Sequence, residues 1–588
     1  MKKFIYIYSL FLISVLVFYS GCKSNTAAPD NDPPSIQLSY PPEYTFTSIS
    51  GIITISADVS DNDAVSSVEF FLIISDTLEI METDTIAPFT LNWDTTLNDD
   101  CSTYLICAIA YDFSGNSKQS GIHTFNVDNS ANSDIAVQVW LTEGGGTARL
   151  EQQPNRYFGT NCGNSNIIEI TSSQLYQQID GFGAALTHSS AWLIDNSPNR
   201  DLIIEKLFSK TEGIGISYTR LAMGSSDFVN GSHYSYAETP NDMDLSEFSI
   251  DRDRDNIIPL LQDILMINPN LKIMGSPWSA PGWMKTSGQF VCGNLWGSRL
   301  KTEMYAVYAD YFVKFVEEYA LQGIPIDAIT IQNEPLYCPG NYPGMIMSGE
   351  EQRDFVKYHL GPKFEENGIN TKIVIFDHNW DGTMDDGGLQ TGAYDFIEAV
   401  YNDPLAVSYI NGTAFHGYGD GNAYFQNVIY NMNPNKSIYF TERTNISDWD
   451  NWEGVLGHIS KYYFIDVLNN WSKNVLLWNL ALDSENGPYN GGCDVCTGLV
   501  TVDGSQLDYE IDYYITGHFS RFVESGAFRI GSTNQVNGVE AVAFQNPDGS
   551  KILIAVNTDE NPKSFYLMEN GLSLFYNLPS QTLATFVW

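Results

Sequence analysis

The feature that most constrains the fold is a series of eight apolar, strand-like segments within residues 178–504, each of which ends in polar or aromatic residues. Segments with helical periodicity separate these strands, among them residues 303–322, 350–367 and 452–470. Eight strand–helix repeats in about 300 residues predict a closed (β/α)8 barrel, which belongs to the α/β class. Chemistry in this fold takes place where the carboxyl ends of the strands meet.

Strand-rich segments flank the predicted barrel. Residues 130–177 and 505–588 contain alternating apolar runs, and we expect them to combine in one β-sandwich side domain. Residues 35–129 show short alternating runs separated by turn residues, which predicts a separate immunoglobulin-like, all-β module. We expect this module to act as a spacer, with carbohydrate binding as the alternative.

Two glutamates stand at the carboxyl ends of predicted barrel strands. Glu334 follows the apolar run 328–331, and Glu442 ends the run 437–442. By our count these are the fourth and seventh strands, which lie roughly opposite each other, so the two carboxyl groups can face each other across the barrel mouth. A carboxylic acid pair is what hydrolysis of a glycosidic bond requires. Two unrelated surface glutamates are the alternative.

The two carboxyl groups need different protonation states. We assign Glu334 as the general acid/base, which must hold a proton near neutral pH. Glu442 is the predicted nucleophile, which must stay ionised, and Arg220 at the end of the second strand is its expected cationic partner. Asn333 can bind the 2-hydroxyl of the sugar. Retention requires a gap of about 5–5.5 Å and inversion a wider one, and the sequence leaves this open.

A set of motifs occurs in a fixed order along residues 130–588. They are Asp180-Gly-Phe-Gly-Ala-Ala-Leu-Thr, Ser226-Asp227-Phe, Ser276-Pro-Trp-Ser-Ala-Pro-Gly-Trp-Met-Lys-Thr, Gln332-Asn-Glu-Pro335, Phe415-His-Gly-Tyr418, Thr441-Glu442, Trp478-Asn-Leu-Ala-Leu and residues 513–522. In this order they resemble glycoside hydrolase family 30, in the branch that contains lysosomal glucosylceramidase and bacterial β-1,6-glucan hydrolases. The resemblance implies a retaining mechanism, with Glu334 as acid/base and Glu442 as nucleophile.

The resemblance also implies a sugar-binding subsite. Asp227, Trp278, Asn333 and Trp478 would line the position of the non-reducing sugar, with Asp227 and Trp278 contacting its outer hydroxyls and Trp478 forming a wall. His416 and Tyr418 match family residues beside the nucleophile. We expect His416 to orient its neighbours and not to act as the acid.

Two motifs could suggest a metal. Cys493 and Cys496 have CxxC spacing in the loop 483–501, but no second CxxC or His pair accompanies them, so we expect a local disulfide. The loop 483–501 is not among the motifs that carry the resemblance, so the resemblance does not define the side of the cleft that would bind the acceptor. Residues 251–255 mimic the start of a calcium loop, but Asn256 and Gln262 stand where that loop requires Gly and Glu. We therefore predict no cofactor and no metal.

The net charge and the first residues of the chain indicate which ligands the protein can bind and where in the cell it is located. The formal net charge of −42 argues against nucleic acid and is compatible with a neutral β-glucan oligosaccharide or other β-glucoside. Residues 1–22 predict a signal peptide that ends in Ser20-Gly-Cys22, a lipobox-like sequence with Tyr19 where Leu is usual. We expect a lipid on Cys22 to anchor the exported protein to the bacterial outer membrane or cell surface through a polar tether, residues 23–34, with secretion as the alternative.

Three functions remain open at this point. The first is a retaining β-glucosidase that acts on β-1,6-linked glucosyl units or on glucosylceramide-like lipids. The second is an endo-β-1,6-glucanase on the same scaffold. The third is a cell-surface lipoprotein that binds glycans without hydrolysing them. The joint presence of Glu334, Glu442 and Asn333 weighs against the third, because binding alone needs no such set.

Overall fold

A computed structural model describes residues 30–588 except 42–47, 63, 75–76, 100, 130–134, 161–164, 296, 381–391, 420 and 447–451. The predicted signal peptide and Cys22 lie outside the described residues. The described chain divides into two compact units. One contains the described residues up to 41, with those in 52–95 and 103–125, and the other contains the remaining described residues, including those from 126 onward.

Strands that pair antiparallel, apart from one parallel pair, make up the amino-terminal region. They are β1 (Ser35–Ser39), β2 (Ser48–Ile49), β3 (Ile52–Ser60), β4 (Val65–Ile74), β5 (Thr77–Asp84), β6 (Phe89–Asp94), β7 (Ser102–Asp112), β8 (Ser117–Gln119) and β9 (His123–Val127). Strand β3 lies between β1 and β6 in one sheet, and the other runs in the order β9-β7-β4-β5, with β2 parallel to β9. Apolar residues alternate along β3, so Ile53 and Ile55 are buried while Thr54 faces solvent. The region is a two-sheet β module, as predicted.

Eight parallel strands form the predicted barrel. They are β14 (Gly181–Ala184), β15 (Tyr218–Ala222), β16 (Lys272–Ser276), β17 (Ala328–Thr330), β18 (Lys372–Asn379), β19 (Ile410–His416), β20 (Ser437–Glu442) and β21 (Asn474–Leu477). Strands β15 to β20 pair in order, and β14 pairs with β21. Parallel bridges from Ala185 to Arg220 and from Ile438 to Ser472 close the ring. The barrel prediction is confirmed.

Helices surround the barrel strands. They are α1 (His188–Asn196), α2 (Arg200–Phe208), α3 (Ile257–Ile267), α4 (Tyr305–Leu321), α5 (Gly349–Phe355), α6 (Gly361–Glu366), α7 (Ala393–Tyr401), α8 (Pro404–Tyr409), α9 (Tyr424–Met432), α10 (Trp452–His458), α11 (Asp466–Asn469) and α12 (Ile511–Ser520). Two predicted helices contain a π-helical segment, Val356–Leu360 between α5 and α6 and Ile459–Ile465 between α10 and α11. Their apolar faces join one large core with the strands. Among the described residues, no helix is both long and apolar enough to cross a bilayer.

The side domain combines strands from both ends of the second unit. They are β10 (Ala136–Glu143), β11 (Arg149–Tyr157), β12 (Gly159–Thr160), β13 (Ile167–Gln178), β25 (Phe528–Ser532), β26 (Gln535–Val536), β27 (Val539–Gln545), β28 (Lys551–Asn557), β29 (Lys563–Glu569), β30 (Leu572–Leu578) and β31 (Thr582–Val587). Strand β10 pairs with β31, and the long β13 pairs with both β25 and β29. The expected joint sandwich is therefore present. A small sheet of β22 (Ala481–Leu482), β23 (Val500–Asp503) and β24 (Gln506–Tyr509) follows the last barrel strand.

Candidate active site

The barrel strands deliver the predicted polar residues to one place. Arg220 lies in β15, His416 and Glu442 end β19 and β20, and Asn333 and Glu334 follow β17. Glu334 has a φ of 46°, in the left-handed region that disfavours a side chain. Backbone strain of this kind persists where the surroundings enforce it, which is common at functional sites.

Arg220 is the centre of a buried ionic network. Its guanidinium group is fully buried and donates to a carboxylate oxygen of Glu442. The same group donates to Oδ1 of Asn333 at 2.7 Å and to Oδ2 of Asp377 at 2.8 Å. A buried guanidinium with five fixed donors holds such acceptors in a defined geometry. The predicted pairing of Arg220 with Glu442 is thus present in the structure.

Asp377 completes this network from strand β18. Its Oδ2 also accepts from Thr330 Oγ1 at 2.6 Å, and its Oδ1 accepts from Thr441 Oγ1 at 2.7 Å. Burial acts to raise the pKa of Asp377, but the Arg220 charge and the contacts from His416 and Thr330 outweigh it and lower this pKa. Asp377 therefore stays ionised as a fixed counter-charge beneath the site.

His416 bridges the two predicted catalytic glutamates. Its Nε2 lies 3.1 Å from Asp377 Oδ1, and its Nδ1 lies 3.2 Å from Glu334 Oε1 and 3.9 Å from Glu442 Oε1. A carboxylate oxygen of Glu334 and one of Glu442 lie within 4.8 Å of each other. This spacing fits a retaining glycosidase, whose carboxyl groups are about 5–5.5 Å apart, better than an inverting one.

The charges of the site shift the pKa values of its members. Burial alone would lower the pKa of His416, but the charges of Glu442, Asp377 and Glu334 raise it to about 9. Burial acts to raise the pKa of Glu334, and the hydrogen bond and charge of His416 reverse this, so that it is lowered. For Glu442, burial and the charge of Glu334 raise the pKa against the opposing effect of His416 and Arg220. At neutral pH the group therefore holds at least one shared proton.

The residues predicted to bind the sugar surround these carboxylates. The indoles of Trp278 and Trp478 stack with their centroids 5.0 Å apart, and both are buried. Arg220 lies over the Trp278 ring at 4.9 Å. Burial, followed by the charge of Glu442, raises the pKa of Asp227 to about 8. The structure therefore brings these residues together around one position in the barrel mouth.

Tyr418 and Asn333 complete the predicted set. The backbone N–H of Tyr418 donates to Asn379, and the charge of Glu442 adds to burial in raising the pKa of its hydroxyl. The bond from Arg220 to Oδ1 fixes the orientation of the Asn333 amide, so Nδ2 can donate to a sugar hydroxyl.

A disulfide-closed loop covers the Asp227 side of the site. The Cys493–Cys496 bond is present, so the prediction of a local disulfide is confirmed. The N–H of Asn490 donates to the carbonyl oxygen of Asp227 at 2.7 Å. A Cβ at Gly492 would lie 2.3 Å from Asp227 Oδ2, and Gly492 has a φ of 75°. Only glycine allows the loop to approach Asp227 this closely.

Two groups of side chains within the described residues have the spacing of metal ligands. One is Glu334, His416 and Glu442, and the other is Asp30, Asp61 and Asp112 in the amino-terminal region. Arg220 already supplies a positive charge beside the first group. The calcium-like stretch 251–255 has another role, because buried Asp253 accepts hydrogen bonds from the hydroxyls of three tyrosines, Tyr234, Tyr236 and Tyr319.

Sequence reasoning missed two residues of the site. One is Asp377, which follows the apolar run 373–376, and a carboxylate at the end of such a run is a signal for a buried ionic contact. Tyr342 packs against the cluster around Trp278 and Trp478. Burial and the charges of Glu334 and Asp227 raise its hydroxyl pKa well above the usual range. No motif pointed to Tyr342.

Comparison with known proteins places this geometry in a family. Residues 179–523 match the glycosyl hydrolase family 30 TIM-barrel domain, and residues 526–586 match the family 30 β-sandwich domain. Residues 34–127 match the bacterial Ig domain, which confirms the immunoglobulin-like prediction.

Individual relatives agree with the domain matches. An endo-1,6-β-D-glucanase of Trichoderma harzianum is 31% identical over 71% of this chain and 86% of its own length. Lysosomal acid glucosylceramidase of Mus musculus is 27% identical over 75% of this chain and 87% of its own length. A solved structure named the endo-β1,6-glucanase BT3312 has 32% identity and a TM-score of 0.69, covering 77% of this chain and 99% of that one. The chain belongs to glycoside hydrolase family 30.

Proposed function

We propose that this glycoside hydrolase cleaves β-glucosyl linkages with net retention, using Glu442 as nucleophile and Glu334 as acid/base. The observation that carries the proposal is the position of their carboxylate oxygens, within 4.8 Å of each other across the barrel mouth. One carboxylate can then attack the anomeric carbon while the other reaches the glycosidic oxygen.

The first step forms a covalent glycosyl–enzyme. An oxygen of Glu442 bonds to the anomeric carbon, the bond from that carbon to the leaving oxygen breaks, and Glu334 gives its proton to this oxygen. Arg220 orients Glu442 and favours its ionised form before attack. In the second step Glu334 takes a proton from water, the water oxygen bonds to the anomeric carbon, and Glu442 is released. Two inversions restore the original configuration.

The pKa directions alone favour the reverse roles, since the pKa of Glu334 is lowered and that of Glu442 is raised. Hydrogen bonding supports our assignment. A proton can pass from His416 Nδ1 to Glu334 without loss of their 3.2 Å hydrogen bond, because His416 Nε2 keeps its contact with Asp377. A proton on Glu442 would instead weaken its buried ion pair with Arg220.

The relatives support β-1,6-glucan as the substrate. Three fungal proteins named endo-1,6-β-D-glucanases are each 31% identical to this chain over 71–72% of its length. A second candidate is a glucosylceramide-like lipid, because a putative glucosylceramidase of Caenorhabditis elegans is also 31% identical, over 66% of the chain.

Product analysis distinguishes these substrates. We expect turnover of a β-1,6-linked glucan such as pustulan and of β-1,6-linked disaccharides, and little turnover of the β-1,3-glucan laminarin. Faster turnover of glucosylceramide than of pustulan would favour the second candidate. Glucose alone would indicate cleavage at chain ends, whereas a series of oligosaccharides would indicate endo action. A protein that cleaves none of these would contradict the proposal.

We further propose that the protein is exported and held at the bacterial outer membrane or cell surface by a lipid on Cys22. Support comes from the sequence, in which two lysines, an apolar run and Ser20-Gly-Cys22 follow one another. A Cys22→Ser variant should move from the membrane fraction to the soluble fraction. Membrane attachment that persists in this variant would contradict lipidation at Cys22.

A further inference from the structure

An unassigned groove lies on the barrel beside the proposed catalytic site. Two cavities of about 510 and 360 Å³ share Trp380, Asn422 and Tyr424 in their linings. We call this surface the tyrosine groove, because Tyr394 lines one cavity, Tyr462 the other and Tyr424 both. Trp380 directly follows β18, and Asn422 and Tyr424 lie in the segment after β19, so the groove is at the same end of the barrel as Glu334 and Glu442.

The tyrosines of the groove expose their rings. Tyr424 is 64% exposed, Tyr462 45% and Tyr394 43%. Within the part of the chain that the structure describes, no hydrogen bond is formed by the hydroxyls of Tyr424 and Tyr462. An exposed ring with an unused hydroxyl offers an apolar face and a polar edge together. A pyranose ring has a matching character, with an apolar C–H face and hydroxyls at its rim.

The rest of the lining also suits a neutral, hydroxyl-rich ligand. Asn422 and Asn470 line the same cavity as Tyr462. Asp466 also lines it, and its carboxylate is paired with Lys461 at 3.2 Å. Amide groups both donate and accept hydrogen bonds, which matches sugar hydroxyls. The net charge of −42 disfavours a polyanionic ligand. The lining therefore favours an uncharged glycan.

The groove and the proposed catalytic site share a wall. The guanidinium of Arg443 lies 5.3 Å from the Tyr418 ring and 4.7 Å from the Tyr463 ring. Tyr418 belongs to the candidate active site, and Tyr463 lines the groove and is parallel to Trp380. A polymer bound in the groove would therefore lie next to the cleft.

We propose that the tyrosine groove is a second binding site for a β-glucan chain, which holds the polymer close to the cleft where it is cleaved. The choice of ligand rests on the proposed function. Because the groove is separate from Glu334 and Glu442, its loss should affect polymer binding and leave the chemistry of a small substrate intact.

The test is a double variant, Tyr424→Ala with Tyr462→Ala. Its matched control is Tyr358→Ala, which removes a tyrosine that is 60% exposed and lies outside the groove. Affinity electrophoresis in gels that contain soluble β-1,6-glucan measures binding, in a Glu442→Ala background that prevents hydrolysis. Turnover of an aryl β-glucoside by the forms that retain Glu442 measures the chemistry.

We expect the double variant to bind the glucan about tenfold more weakly, equivalent to ~1.4 kcal/mol, while the control binds like the parent. Aryl β-glucoside turnover should be unchanged in both. If the glucan in the gel slows the double variant as much as the parent, the proposal of a second site is overturned. It is also overturned if the glucan does not slow the parent. Failure of the proposed function would show separately, because the protein with Tyr424, Tyr462 and Glu442 intact would then not turn over the aryl β-glucoside.

Discussion

Replacement of Asp377 by asparagine tests the ionic network under the candidate site. The side chain keeps its size, but the carboxylate loses the charge that faces Arg220 at 2.8 Å and His416 at 3.1 Å. Hydrogen bonds to charged groups contribute about 1.5–3 kcal/mol each, and breaking a buried ion pair costs about 3–5 kcal/mol. Since Arg220 keeps Glu442 as a partner, we take the lower end, about 3 kcal/mol.

If this free energy is lost in the transition state, kcat/KM for an aryl β-glucoside falls roughly 150-fold. The matched control is Thr330→Val, which removes one hydrogen bond from a neutral hydroxyl to the same carboxylate and should cost about 1.5 kcal/mol, or roughly twelvefold. Thermal unfolding of each variant separates a loss of folded protein from a loss of rate. A folded Asp377→Asn enzyme with kcat/KM close to that of the parent would refute the role of Asp377.

Three further predictions concern protons. Glu334→Gln should slow substrates with poor leaving groups far more than activated aryl glucosides, and equal slowing of both would remove its acid role. His416→Asn should move the alkaline limb of the pH–rate profile to lower pH, because it removes the group whose pKa is raised to about 9, and an unmoved limb would contradict proton sharing. Burial lowers the pKa of His518 to about 3, between the hydroxyls of Thr142 and Thr585. The unfolded chain binds a proton at this histidine below about pH 6.5, so the free energy of unfolding should fall by about 2 kcal/mol from pH 7 to pH 5. Denaturant unfolding at the two pH values should show a smaller fall for His518→Gln.

The barrel could be predicted because its signal is local. Each strand is a short apolar run that ends in polar residues, and the run before Glu334 needs no distant contact to be recognised. The convergence of Glu334, Asn333, Glu442 and Arg220 follows from topology alone, since parallel strands place their carboxyl ends at one face of a barrel.

Distances and tertiary contacts could not be predicted in this way. The place of Asp377 depends on left-handed backbone at Phe376 and Asp377, with φ values of 70° and 62°, which non-glycine residues adopt only where tertiary contacts enforce it. Tyr342 reaches the site from a long loop whose path also depends on the Cys292–Cys338 disulfide. No sequence period encodes either arrangement.

The most direct test of the central claim is to trap the covalent intermediate. A 2-deoxy-2-fluoro-β-glucosyl fluoride should inactivate the enzyme by forming a stable ester, and mass spectrometry of the digested protein identifies the residue that carries it. Our account predicts a single fluoroglucosyl group on the peptide that contains Glu442, and none in Glu442→Ala. A label on Glu334, or initial release of the α-anomer from a β-glucoside without any covalent adduct, would contradict it.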